Sequence, residues 1–352
     1  MFHLIVNVCL AAAPLDCAPV LLPAGDAATR QECMSRMQRI ADDWLDGHPQ
    51  LQGDRPDCVD NADLPAAPLT ELRPGIHAFL GDPVQMEESP DGRIANLGVI
   101  EGDDSVAVID AGVSRAQGQA MYVAIRRMTD KPISHLVLTH MHPDHVLGAE
   151  VMAEAGATIV AHHAMSNGLQ YRAGTYLENL QRLFPPSEWI GTGVALPRMG
   201  VTDRDSIDLG GRPIRLQAWP SAHTDNDLTA LDVVTGTFFT GDLVFRGLTP
   251  VVDGSLSGWL SWLQGDPADG ARLIVPGHGE PTADWALAHQ PQEDFLKALA
   301  EAARSRIAQG VPMSKAVPMI TNDLKSFATS WNSFEMTVAR DATAAYKELE
   351  WE

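Results

Sequence analysis

Apolar residues fall along this chain in short runs, many of them closed by glycine, proline or aspartate. The runs at 76–80, 94–100, 105–109, 135–139 and 158–161 have strand length and β-branched or aromatic content. Between them, 115–128 and 146–155 show apolar positions at helical spacing, and 164–184 reads as a longer helical insert. A second group of strands is predicted at 206–209, 214–218, 229–234 and 237–240. A helix at 256–263, a strand at 272–275 and helices to the end complete the chain, the last over 334–352. Strands, helices, strands, helices in this order predict two sheets packed together with helices outside, an α/β (α+β sandwich) fold.

The first sixty residues differ in character. They predict a small module at 1–62: a strand at 2–10, a loop, and a helix at 27–46 with Met34, Met37, Ile40, Ala41 and Trp44 three and four apart. The Pro-, Asp- and Ala-rich stretch 53–68 reads as a linker. A catalytic domain at 69–310 and a helical extension at 311–352 complete the expected division.

Charge narrows the partners. With 25 basic and 46 acidic residues the net charge is -21, and the chain has no Lys/Arg run. Such a surface repels nucleic-acid backbones and anionic lipid, so a small-molecule substrate is expected. No apolar stretch reaches the roughly 18–20 residues that span a bilayer. Residues 2–14 read either as a signal peptide lacking a basic start or as a retained strand. All four cysteines (Cys9, Cys17, Cys33 and Cys58) lie in the module. They read as two disulfides in an oxidising compartment, hence the periplasm; the alternative is four unpaired thiols.

The chemistry is concentrated in Leu136-Val137-Leu138-Thr139-His140-Met141-His142-Pro143-Asp144-His145. A buried strand ends and four metal-ligand side chains arrive within six residues. His140 and His142, two apart in extended backbone, point the same way and suit one ion. Pro143 turns the chain, and Asp144 and His145 leave the next helix toward a second ion. Further ligands are expected after later strands: His223, Asp242 in Thr240-Gly241-Asp242, and His278 in Pro276-Gly277-His278-Gly279. Glycines beside them permit tight turns.

This His-x-His-x-Asp-His segment, with His, Asp and Gly-His after it in order, resembles the metallo-β-lactamase superfamily. The resemblance implies an αββα four-layer fold and places Asp110, at a strand end, as a supporting residue that binds no metal. It implies that one ion takes His140, His142 and His223, that the other takes Asp144, His145 and His278, and that Asp242 bridges them. Residues 222–228, 250–255 and 345–352 look further like the quinoprotein relay system zinc metallohydrolases, thought to be exported and found with quinoprotein alcohol dehydrogenases. Zn2+, two ions per chain, suits imidazole and carboxylate ligands; iron and manganese suit them as well.

The mechanism implied is a metal-bridging hydroxide attacking an ester, thioester or lactone carbonyl, with Asp144 orienting the nucleophile. His142 stands where oxygen-reducing di-iron relatives carry an acid. Asp242 stands where zinc β-lactamases carry Cys or Ser. Both point away from those activities. The rival reading is an accessory protein that binds a quinone cofactor or a dehydrogenase without turnover. Among remaining residues, Arg246 is a candidate for a substrate carboxylate or a surface salt bridge. Asp227 is expected to orient a ligand or loop. Tyr171 and Tyr176 sit in an insert that covers the site or packs on the core. His162 and His163 are surface or supporting residues, and Trp259 and Trp262 are core.

Overall fold

The computed structural model describes residues 1–265 and 267–352. The middle of the chain forms a seven-stranded sheet in the order Met199–Val201, Thr158–His162, Ile133–Val137, Val106–Ile109, Leu97–Glu101, Ile76–Phe79, Thr70–Arg73. Next along the chain is a five-stranded sheet in the order Arg204–Asp208, Pro213–Ala218, Leu228–Asp232, Thr237–Phe245, Leu273–His278.

Period-two alternation explains how these sheets stack. In Val106–Ile109, Val106 and Val108 face the helices, whereas Ala107 and Ile109 face the other sheet. Leu136 and Leu138 face outward and Val137 inward, as do Ile159 and Ala161 against Val160. Both faces are apolar because both are covered, which is why these strands read as continuous apolar runs. From the second sheet, Ile214, Leu216, Phe239 and Val275 fill the space between the sheets. Helices Arg115–Met128, Ala149–Glu154 and Met165–Leu183 cover the first sheet. Leu256–Gln264, Trp285–Ala308, Met313–Asp323 and Phe334–Leu349 cover the second. The four layers are those expected. Among the described residues no helix is long and apolar enough to cross a membrane.

The N-terminal module departs from expectation. The stretch between the first strand and the helix, read as a loop, forms the strand Ala13–Ala27, paired along Phe2–Leu10. Its prolines are tolerated because it is an edge strand whose free side needs no donors. Part of the stretch read as a linker is also a strand, Asp57–Asp60, paired with the start of Phe2–Leu10. The helix runs over Arg30–Asp46, capped by Thr29. The cysteines pair Cys9–Cys17 and Cys33–Cys58, and no free cysteine remains among the described residues.

The module docks on the helices of the first layer. Arg115, buried, donates from both terminal nitrogens to Glu154 and also to Leu21 O. Glu154 further accepts from Trp44 Nε1 at 3.0 Å. Tyr122 donates its hydroxyl to Asp26 at 2.6 Å, and Asp26 also meets the His3 ring.

The Cys33–Cys58 bond closes a sequence separation of 25 residues. Replacing both with serine is expected to remove about 3 kcal/mol from the module's stability. Limited proteolysis should then cut first within 1–62, and denaturant unfolding should show an earlier phase. An unchanged midpoint and cleavage pattern would count against this staple.

Candidate metal centre

The seven predicted side chains meet at one end of the two packed sheets. His140 and His142 lie in the loop after Ile133–Val137, and Pro143 opens the short helix Pro143–Val146 that carries Asp144 and His145. His223 sits in the loop between Pro213–Ala218 and Leu228–Asp232. Asp242 and His278, expected after their strands, lie within them: Thr237–Phe245 continues through an irregularity around Gly241, and Leu273–His278 ends on the histidine. Gly241 has φ 51°, and a Cβ there would stand 2.5 Å from Thr139 Oγ1. A Cβ on Gly277 would stand 1.9 Å from Asp242 Oδ1. Only glycine lets these backbones approach the site so closely.

The potential ligand atoms form two groups. His140, His142, His223 and Asp242 make one, and Asp144, His145 and His278 the other, with the atoms of each group within 4.8 Å of one another. Asp242 reaches both. Its Oδ2 lies 3.6 Å from His140 Nε2, 3.5 Å from His223 Nε2 and 3.3 Å from His278 Nε2, while its Oδ1 lies 3.2 Å from His145 Nε2. Asp144 Oδ2 is 3.3 Å from His278 Nε2 and 3.5 Å from His145 Nε2.

Every histidine is held from behind. His145 Nδ1 donates to Asp110 Oδ2 at 2.8 Å, His223 Nδ1 to Val251 O at 2.8 Å and His278 Nδ1 to Ile94 O at 3.0 Å. His142 uses Nε2 instead, donating to Asp253 Oδ2 at 3.0 Å, and His140 Nδ1 meets Thr139 Oγ1 at 3.1 Å. These bonds fix ring orientation and turn the other nitrogen of each ring toward the centre. Asp110 performs this task from a left-handed backbone, φ 59°, while also accepting from Thr139 N and Oγ1. Such a conformation costs free energy at a non-glycine residue and persists where surrounding bonds over-determine it.

Cations fit this donor set. His142 Nδ1 and His223 Nε2 face each other at 3.0 Å with their protons committed elsewhere. His140 Nε2, His145 Nε2 and Asp242 Oδ1 are buried without any hydrogen-bond partner among the described residues. Lone pairs crowded this way repel unless a positive charge lies among them. Electrostatics divides the rings: two stay neutral, and two take up protons that stand where a cation would. Burial holds His140 far below its ordinary value and His223 near about 3, so both stay neutral. Burial opposes charge on His145 and His278 as well, but Asp242 and Asp144 overcome it. His145 is held well above its ordinary value and His278 at about 9. Burial would raise Asp242, yet His278, His145 and His140 hold it well below the carboxylate range.

Above the groups opens a cavity of about 860 Å³. His142, Asp144, Asp242 and His278 line it, with Arg172 and Tyr176 from the Met165–Leu183 helix. Arg246 does not line it; its guanidinium bonds Glu280 O, so the substrate-carboxylate reading of Arg246 is not supported. Tyr171 is exposed, and Tyr176 alone of that pair faces the cavity. Asp227 holds its own loop, accepting from Thr224 N and Oγ1. His162 and His163 stack on one another outside both groups. Trp259 packs edge-on to the His223 ring, 5.2 Å between centroids, and Trp262 lies in the same apolar core.

Sequence reasoning missed the residues that hold the 249–255 loop. Asp253 accepts from His142 and from both terminal nitrogens of Arg172. Val252 N donates to Asp341 Oδ1 at 3.0 Å. Glu348 accepts from Ser255 Oγ, Leu256 N and Ser257 N. The terminal helix thereby fixes the loop whose Val251 and Asp253 steady two ligand histidines. No local spacing marks these acids, because their partners lie about ninety residues away in sequence.

The sequence model of the Metallo-beta-lactamase superfamily matches residues 90–278, more than half of the chain. The chain belongs to that superfamily. It is 26% identical over 184 residues to an acyl-coenzyme A thioesterase, MBLAC2, of Gallus gallus, covering 49% of this chain and 62% of that protein. It is 36% identical over 52 residues to a linear primary-alkylsulfatase of Pseudomonas sp. (strain ATCC 19151), covering 15% of this chain and 10% of that protein. The chain thus spans less than two thirds of the length of these relatives. A solved structure of the sec-alkylsulfatase Pisa1 from Pseudomonas sp. superposes with a TM-score of 0.56 at 17% identity, over 80% of this chain and 50% of that one. At that identity the likeness concerns the fold.

Asp341 supplies a stability test. It is fully buried, and burial pushes its carboxyl up to about 7 against the pull of Val252 N–H and Arg340. Folded above unfolded, such a group contributes stability below about pH 4 and loses it as pH rises through about 7. Asp341→Asn keeps the acceptor for Val252. It is expected to be more stable than the parent by roughly 2–4 kcal/mol at pH 8, with the difference vanishing toward pH 4. Urea unfolding at both pH values checks this; a pH-independent difference would contradict it.

Proposed function

We propose that the chain is a dinuclear metal-dependent hydrolase acting on an ester, thioester or lactone-type carbonyl. The carrying observation is that one carboxylate, Asp242, lies in reach of histidines from both ligand groups. His140, His142 and His223 would hold one zinc-class ion, Asp144, His145 and His278 the other, with Asp242 shared between them. Bound there, such ions supply Lewis acidity and lower the pKa of water from about 15.7 toward ~7.

The chain's own residues do the rest. Asp110, Val251, Asp253 and Ile94 keep one imidazole proton on each outward nitrogen, so a metal takes the inward nitrogens of His142 and His223 directly and those of His145 and His278 by displacing a proton. Asp144 is on the cavity wall as well as in the second group, which suits it to accept a hydrogen bond from the attacking water. Apolar cavity residues such as Leu180, Leu183 and Leu248 suit a substrate with a hydrocarbon portion. The thioesterase similarity supports an acyl substrate, and the alkylsulfatase similarity makes sulfate esters a natural control. The relay-system resemblance supports a small molecule belonging to a quinoprotein dehydrogenase system. The two disulfides support an oxidising compartment such as the periplasm.

The test is metal analysis alongside hydrolysis of aryl esters, thioesters, lactones, β-lactams and alkyl sulfates. The parent protein is expected to bind two equivalents of zinc and to turn over an ester, thioester or lactone. Asp242→Ala should lose at least one equivalent and reduce kcat/KM by 100-fold or more, roughly the loss of a multi-kcal/mol electrostatic contribution. Two bound equivalents with no turnover in any class would defeat the catalytic reading. Full occupancy in the alanine variant would defeat the shared role of Asp242.

A further inference from the structure

One polar group of the cavity wall has no part in holding the ligands or the loops behind them. Tyr176 is 9% exposed, lines the cavity, and its hydroxyl has no hydrogen-bond partner among the described residues. A buried hydroxyl in that state costs about 1–3 kcal/mol, and phenylalanine would fill the same space without the cost. Burial pushes the phenol up to about 12 against the pull of Arg172, so it remains an O–H donor at neutral pH.

The surroundings restrict what could accept that proton. Arg172, one helical turn earlier, lies beside the hydroxyl, but a guanidinium only donates and leaves the phenol's proton unclaimed. Its two terminal nitrogens are committed to Asp253, which also holds His142. Asp253 thus fixes the guanidinium at the cavity wall while it fixes a ligand imidazole. Leu180 and Leu183, farther along the same helix, are apolar. No described residue accepts the proton, which leaves the occupant of the cavity to supply the acceptor.

Resting on the hydrolase reading, we propose that Tyr176 binds substrate: its hydroxyl donates a hydrogen bond to an oxygen of the acyl group, beside the positive charge of Arg172. The substrate class that fits carries an oxygen acceptor at this wall and a hydrocarbon portion along the leucines. Tyr176 contributes selectivity rather than stability, because its proton has no acceptor among the described residues.

The variant Tyr176→Phe removes that hydroxyl alone. In zinc-loaded full-length protein, three quantities are compared with the parent: thermal midpoint, affinity for octanoate by calorimetry, and turnover of p-nitrophenyl octanoate. Octanoate is the carboxylate product of that ester and has a hydrocarbon tail. The expected result is an equal or higher midpoint, unchanged zinc content, roughly tenfold weaker octanoate binding, and kcat/KM lowered by about tenfold or more. Equal octanoate affinity in the two forms, or no octanoate binding by either, overturns the proposal. So does a midpoint lowered by several degrees with affinity intact, which would make the hydroxyl structural. A parent that turns over no ester, thioester or lactone defeats the hydrolase reading, and the octanoate comparison then still decides the role of Tyr176.

Discussion

Five imidazoles and two carboxylates are held with their ligand atoms facing inward, and that crowding sets the terms for the rest of the molecule. Asp242 and Asp144 attract His145 and His278, but the neutral rings of His142 and His223, facing each other at 3.0 Å, gain nothing from the arrangement by themselves. The polypeptide must fix each ring from its other side, and it does so with different kinds of support. Asp110 holds His145 from a strained backbone, main-chain carbonyls hold His223 and His278, and Asp253 holds His142. A rigid cage of this kind pre-organises a cation site instead of letting the cation assemble one.

The two-sheet stack answers to the same requirement. His140 to His145 leave the end of an inner strand of the first sheet, whereas Asp242 and His278 belong to adjacent strands of the second. Convergence needs the sheets in register, and the apolar layer between them, from Ile109 and Val137 to Phe239 and Val275, provides it. Gly241 and Gly277 then remove the atoms that would keep the second sheet's backbone away from Thr139 and Asp242. A side chain at either glycine would act on the metal centre through distance, without touching a ligand's chemistry.

Much of this was legible in the sequence, for physical reasons that can be separated. The His140–His145 cluster is local, so spacing alone announces it, and strands buried on both faces announce themselves as apolar runs. The later ligands were legible by order and by their neighbouring glycines. The features that could not be read were long-range or disguised by composition. Ala13–Ala27 contains Pro14, Pro19 and Pro23, which argue against a strand until its position at a sheet edge is known. Asp57–Asp60 hides in linker-like composition, and its Cys58 is tied to Cys33 on the module's helix. Asp253, Asp341 and Glu348 act on groups that folding, not spacing, brings to them. Arg246 drew attention through its nearness to Asp242 in sequence, but the cavity wall took its cation, Arg172, from the helical insert.

The terminal helix belongs to the site as much as the sheets do. Phe334–Leu349 packs its apolar face into the second helical layer through Val338, Ala342, Ala345 and Leu349. From that anchored position Asp341 and Glu348 reach the 249–255 loop, and the loop reaches His223 and His142. Asp341 accomplishes this at a cost, with one carboxylate oxygen satisfied by Val252 and the other buried without a partner among the described residues. Stability is thus given up in the helix to hold a loop, and the loop holds the imidazoles. A boundary drawn between the catalytic sheets and the helices after residue 310 would cut through that chain of support.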